Sequence, residues 1–316
     1  LGDVYKRQSI STVIYAVLII AVLIMGMLLS TMVFSKKTTD DLVYSVEKDL
    51  NSHIEEQDIK ISSKICKRAR TLHSETCTSS STTGYCTAGG TSITYGQLGN
   101  TGVLTSGDAF DCDVNGDGTY DPATERFYYV TDLNSTTAIL LFYTTTSSDG
   151  KRSVGVRPPY DSSGVNYKGP VTAASVLPTK TAWPKATLYN NPAQIYNYEG
   201  GTTVEYSGTH TLPKYKYTTA ARLLTYSEYL KLPKDIFWED FGGTSGQYFP
   251  NCLWLNTPYQ TSPQVFVIHA PYQLNISTYP STPNNSCGVR PVIEVKKTDI
   301  AVSYTHLRAH ETCADL

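Results

Sequence analysis

The sequence predicts an α+β protein in three parts: a transmembrane helix over residues 9–35, an amphipathic helical stalk over 36–76, and a β-rich head over 77–301. Three observations predict this layout. Val13 to Phe34 reads VIYAVLIIAVLIMGMLLSTMVF, without one charge. Leu42, Val46, Leu50 and Ile54 recur at every fourth position. From Cys77 onward the pattern changes to short alternating runs of Val, Ile, Thr, Tyr and Phe broken by Gly, Asn and Pro.

An unbroken run of roughly 20 apolar residues is long enough to cross a bilayer as a helix. It exceeds the ~7–15-residue core of a cleaved signal peptide. The membrane is therefore an expected partner, and self-association through this helix is a second. Lys36 and Lys37 follow the run and favour the cytoplasmic side. Cysteine usage argues the opposite way. Apart from Cys313 near the C-terminal end, Cys66, Cys77, Cys86, Cys112, Cys252 and Cys287 form an even set in a Thr-, Ser- and Tyr-rich, weakly charged chain, which suits an oxidising exterior. The expected localisation is a single-pass cell-membrane protein with its head outside the cell. Six cysteines allow fifteen connectivities. The expected set is Cys77–Cys86 as a short clip and Cys252–Cys287 in the last lobe, leaving Cys66–Cys112 by elimination.

In the stalk, Val43 joins the apolar stripe, while Glu47, Lys48, Asp49, Glu55 and Glu56 fall on the other face. Thr38 or Thr39 before Asp40–Asp41 is an N-terminal helix signal, with the acids set against the helix dipole. KICKRAR, Lys64 to Arg70, reads as a solvated basic face.

Within the head, strands are expected at Ser92–Tyr95, Arg126–Thr131, Ala138–Thr144, Leu253–Leu255, Val265–His269 and Val289–Lys296. Gly150 to Gly201 is rich in Pro and Gly and is expected to form long loops that bury Trp183, Tyr189 and Ile195. Thr225-Tyr-Ser-Glu228 is a T-x-x-E capping box, and Pro233 ends the short helix it starts. With 24 tyrosines, the head is expected to expose aromatic surface. Arg290 is expected to be partly buried, with Glu294 or Asp240 as its partner.

Several segments carry resemblances. GDAFDCDVNGDGTYDPATERFYYVTD (107–132), AARLLTYSEYL (220–230), LWLNTPY (253–259) and CGVRPVIEV (287–295) together resemble surface proteins of uncultured gut bacteria related to Firmicutes. Many of those carry a pilin-like or pseudopilin-like N-terminal helix bearing a β-rich head. That resemblance implies a pilin-like layout and no particular activity. The RLLT…WL…GVRP spacing also resembles the C-type-lectin-like fold of formylglycine-generating-type domains, which implies a fold for the C-terminal lobe and no chemistry. The catalytic cysteines of those enzymes have no counterpart in this sequence. At the ends, LGDVYKRQ (1–8) and VSYTHLRAHET (302–312) resemble a translated sequencing adapter read in its two directions. Residues 1–8 and 302–316 are accordingly left out of the fold reasoning.

The acidic stretch DCDVNGDGTYD, Asp111 to Asp121, is the candidate metal site. Counting from Asp113, oxygen-bearing side chains fall at positions 1, 3, 5 and 9: Asp113, Asn115, Asp117 and Asp121. Gly118 stands at position 6, and a carbonyl near Thr119 adds a further ligand. A structural Ca²⁺ wants several oxygens on a sharply folded loop of this kind. Thr124 occupies position 12, where an EF-hand has a bidentate acid, and Glu125 follows. The competing reading is a plain turn, since Asn115-Gly116 and Asp117-Gly118 both suit positive φ.

Catalytic signals are poor. His53, His73, His210 and His269 are scattered, and no G-x-S-x-G, H-E-x-x-H or phosphate-cradling loop occurs. A net charge of −2 gives no electrostatic reason to expect nucleic-acid binding. The expected function is a membrane-anchored, pilin-like structural or adhesion subunit. The alternative is a carbohydrate- or peptide-binding module in which tyrosines, Trp254 and calcium form the site for a surface glycan or protein ligand.

Overall fold

The computed structural model describes residues 17–21, 44–46, 48–49, 64–76, 92–100, 102–153, 155–189, 202–205, 208–211, 215–241, 252–259, 264–269, 275–280 and 286–301. The chain divides into two units, Leu1–Lys60 and Ile61–Leu316. In the first unit the described residues are short helical segments at 17–21, 44–46 and 48–49. Among the described residues, no helix is long and apolar enough to cross a membrane. This corrects the expected transmembrane helix over 9–35, of which residues 9–16 and 22–35 lie outside the described residues, and the single-pass membrane localisation that followed from it.

The second unit is built from strands: β1 (Cys66–Arg68), β2 (Ser74–Thr76), β3 (Ser92–Thr94), β4 (Ala109–Cys112), β5 (Arg126–Asp132), β6 (Thr137–Phe142), β7 (Thr202–Glu205), β8 (Gly208–Thr211), β9 (Cys252–Pro258), β10 (Gln264–His269), β11 (Asn275–Pro280), β12 (Val292–Lys296) and β13 (Ile300–Ala301). Its helices are short: Val171–Ala174, Tyr226–Tyr229 and Asp235–Phe241. The fold is thus mostly strand in a mixed sheet, which corrects the expected helical stalk as well. β1 and β2 lie inside the segment predicted to be stalk. Cys66 pairs in register with Cys112 and, in parallel, with Ile300. Ser74–Thr76 pairs with β3. Partners more than forty residues away set the conformation of 66–68, where the local pattern favoured a helix.

The main sheet has the order β12-β6-β5-β4-β1-β13. The β1–β13 pair is parallel, and the other pairs are antiparallel. β4 and β6 are buried at every position, as are the first five residues of β5. Strands covered on both faces read as nearly continuous apolar runs, and TAILLF in β6 is one. On one side Phe127 and Phe142 lie 5.0 Å apart between ring centroids, and Trp183 packs on them at 5.7 and 5.0 Å. The Pro- and Gly-rich loops deliver Trp183 to this core as expected, while Tyr189 stays 38% exposed and Ile195 lies outside the described residues.

In the three-stranded sheet β11-β10-β9, Trp254, Val265 and Val267 face a smaller core, while Leu253, Leu255, Phe266 and Ile268 join the main one. Trp254 is buried in the smaller core, its ring 5.6 Å from Tyr160, and its Nε1–H donates to the Pro158 carbonyl at 2.9 Å. It is a packing residue and offers nothing to a ligand, contrary to the expectation. Many of the tyrosines are buried too. Tyr95, Tyr128, Tyr129, Tyr143, Tyr160, Tyr217 and Tyr229 are all buried. Tyr160 donates to the Asn256 carbonyl at 2.8 Å, and Tyr217 donates to the Asn256 side chain. Tyrosine serves this interior by giving large apolar area together with a hydroxyl that can be satisfied.

The capping box forms. The Glu228 N–H donates to Thr225 Oγ1 at 3.2 Å, and the Thr225 N–H donates to Glu228 Oε2 at 2.9 Å. Glu228 has a second partner that the motif does not reveal, the buried Arg222. Of the two partners expected for Arg290, Glu294 pairs with Arg222 instead, at 3.1 Å, and the Asp240 side chain lies outside the described residues. The Arg290 guanidinium donates to the carbonyls of Phe142 at 2.5 Å and Ile236 at 3.0 Å, and lies 5.1 Å from the centre of the Phe237 ring.

Candidate functional site

The acidic loop joins β4 to β5. Asp113, 1% exposed, organises it from inside: its carboxylate accepts the N–H groups of Gly116 at 2.9 Å and Gly118 at 3.2 Å. Both glycines have positive φ, 80° and 84°, so the chain can wrap round that carboxylate without strain. Asn115 accepts the Asp117 N–H at 2.8 Å and donates to Asp117 Oδ2 at 3.0 Å. Asp117 accepts both the N–H and the hydroxyl of Thr119, which holds its carboxyl below the usual range. Asp121 accepts the Ala123 N–H at 2.9 Å and the Thr124 hydroxyl at 2.8 Å. Lys185, on a neighbouring loop, places its ammonium on Asp113. Among the described residues, no three His, Cys, Asp or Glu side chains converge closely enough to hold a metal ion as the loop stands.

Glu125, which the spacing did not select, closes the loop. Burial pushes its carboxyl from the usual 4.5 to about 7, helped by the charges of Asp113 and Asp117 and opposed by the amides of Asp121 and Asn115. The folded chain therefore holds this proton more tightly than the unfolded chain does. Its contribution to stability is fully present below pH 4.5 and declines as pH rises through about 7. In EDTA-containing buffer, the melting temperature is expected to fall between those limits, and Glu125→Gln should flatten the fall. Thermal melts across that range check it, and a Glu125→Gln profile parallel to wild type counts against it.

Cys66–Cys112 and Cys252–Cys287 are disulfide-bonded. The first pins β1 to β4 directly below the acidic loop; the second ties the start of β9 to the segment before β12. Cys77 and Cys86 lie outside the described residues.

A second constellation went unseen in the sequence. His73, Ser74, Tyr95, Ala123, Tyr143, Arg152 and Glu239 line a cavity of about 250 Å³. Glu239, on the helix Asp235–Phe241, is 7% exposed and accepts the Tyr128 hydroxyl at 2.5 Å and His73 Nδ1. His73 Nε2 faces the Pro122 carbonyl at 2.5 Å. The two ring nitrogens of His73 thus each meet an oxygen, one on Glu239 and one on Pro122. The Tyr143 ring meets His73 edge-on at 5.2 Å, and its hydroxyl donates to the Ala123 carbonyl at 2.8 Å. Arg126 lies behind this wall, fully buried, with its Nε donating to Asp111 at 2.7 Å. Burial pushes the Asp111 carboxyl up despite Arg126.

Pro122 and Ala123 belong to the acidic loop, so that loop forms one wall of the cavity. Sequence reading placed His73 on a stalk and gave Glu239 no role. They are 166 residues apart, and no short-range spacing marks such a pair. Comparison with protein-family models, curated proteins and solved structures finds no match to this chain.

Proposed function

We propose that the second unit is a recognition module that binds a saccharide in the cavity between His73, Tyr95, Tyr143, Arg152 and Glu239. The observation that carries this reading is the meeting of aromatic rings, a guanidinium and a carboxylate on one concave site of about 250 Å³. Ligand sites are concave, with apolar walls and a few placed polar groups. Ring faces suit the C–H faces of a sugar, while Arg152 and Glu239 offer a donor and an acceptor to its hydroxyls. The volume fits a single sugar ring more closely than an extended chain. Two disulfides support folding in an oxidising compartment, where glycans are displayed.

The geometry favours binding over catalysis. Both His73 nitrogens are already engaged, by Glu239 and the Pro122 carbonyl, so the ring has no free nitrogen to accept a substrate proton. The test is a calorimetric and NMR titration of the purified chain with mono- and disaccharides, and with short peptides as the competing class. Arg152→Ala and Tyr143→Ala, each first shown to melt cooperatively, are expected to weaken saccharide binding roughly tenfold, about 1.4 kcal/mol. Unchanged affinity in both variants, or binding of peptides alone, refutes the saccharide reading.

A further inference from the structure

We propose that the loop 113–125 is a calcium site in which Asp113, Asn115, Asp117, Asp121 and Glu125 supply side-chain oxygens and Thr119 its carbonyl. The inference is independent of what the cavity binds. The loop gathers four carboxylates, and the ammonium of Lys185 sits on one of them. What points to a ligand is Glu125. The residue is 3% exposed; its Oε2 accepts the Asp121 N–H at 3.2 Å, while its Oε1 is buried with no hydrogen-bond partner.

A buried acceptor left unsatisfied is costly. A hard cation that seeks oxygen ligands satisfies such an acceptor. Glu125 immediately precedes β5, and its carbonyl accepts the Cys112 N–H at 2.9 Å. The bond from the Asp121 N–H to its Oε2 holds the side chain against the loop.

Calcium takes about 6–8 oxygens at roughly 2.3–2.6 Å in flexible geometry. The present hydrogen bonds leave capacity for it, since each carboxylate oxygen carries two lone pairs. Binding requires the acidic side chains to close inward and Lys185 to leave Asp113. The Lys185 side chain is 42% exposed, so it can swing into solvent. In the same loop the Ala123 carbonyl accepts the Tyr143 hydroxyl, and the Pro122 carbonyl faces His73 Nε2. A bound ion therefore stiffens one wall of the cavity. Calcium suits this loop better than magnesium, which demands near-ideal octahedral geometry and gives up its water reluctantly.

The experiment titrates the EDTA-stripped, purified chain with Ca²⁺ by calorimetry and with Tb³⁺ by luminescence. Tyr120, inside the loop, serves as the sensitiser. Saturable binding is expected with a Kd at or below about 10⁻³ M, the weak end of extracellular sites. Glu125→Gln is expected to weaken it by roughly tenfold or more. Asp117→Ala, at an exposed position that does not threaten folding, should do the same. Lys185→Ala should bind as tightly as wild type or tighter, because it removes the competing ammonium. The proposal is overturned by the absence of saturable binding up to about 10 mM Ca²⁺, well beyond known weak sites. It is equally overturned if Glu125→Gln and Asp117→Ala both bind like wild type.

Discussion

Replacing Arg222 with alanine is expected to destabilise the second unit by about 3–5 kcal/mol, the usual cost of removing one partner from a buried ion pair. Arg222 is wholly buried. It donates to Glu228 through two nitrogens at 2.7 and 2.8 Å, to Glu294 at 3.1 Å and to the Leu223 carbonyl at 3.1 Å. It also bridges Val292 through paired backbone bonds of 3.0 and 2.8 Å. Burial alone would raise the Glu228 carboxyl. The charge and hydrogen bonds of Arg222, with those of Thr225, hold it below the usual range instead. Alanine removes the guanidinium that Glu228 and Glu294 share, and it loosens the capping box that uses Glu228.

A typical domain has only about 5–15 kcal/mol of stability, so a loss of this size lowers the folded yield visibly. Lysine should not rescue it, because a single ammonium cannot reproduce the planar two-nitrogen grip on Glu228. Urea denaturation of wild type, Arg222→Ala and Arg222→Lys measures the effect. A shift of less than about 1 kcal/mol for the alanine variant, no more than a surface pair contributes, would show that the network is not what holds the cap to β12.

Removing the Cys66–Cys112 disulfide is the second large effect. The two cysteines are register partners on adjacent strands, 46 residues apart in sequence, and both are fully buried. Cross-linking a loop of that length removes about 4 kcal/mol of unfolded-chain entropy in the chain-entropy treatment. Cys66→Ala/Cys112→Ala is therefore expected to lose about 2–5 kcal/mol. β1 is only three residues long, and its other partner, β13, has two. Neither strand has the length to hold the sheet edge alone, so fraying should begin there. Hydrogen exchange of Cys112 and Asp113 amides, with thermal melts in the presence and absence of reductant, follows it. Equal melting temperatures for oxidised and reduced protein would contradict the assignment.

Local signals were legible in the sequence. Strand runs such as RFYYVTD and QVFVIH form strands, because β-branched and aromatic alternation is a property of five or six adjacent residues. The Thr225–Glu228 box and the positive-φ glycines of the acidic loop depend on neighbours within one turn, and both form. The helical stalk expected over 36–76 was carried on from an apolar stripe at 42–54 and misled for 66–76, since β1 and β2 answer to strands far along the chain.

The sequence by itself determined the turns, the cap, the strand segments and the acidic loop, because each is settled by the dihedral and hydrogen-bonding preferences of a few consecutive residues. Only the tertiary structure decided the partners of Arg222, the interior placement of Trp254 and many of the tyrosines, and the cavity joining His73, Tyr143 and Glu239. Those contacts join residues whose separation leaves no periodic trace. Burial then set their chemistry: Glu125 became a weak acid and Glu228 a strong one because of what packs around each, not because of what precedes it.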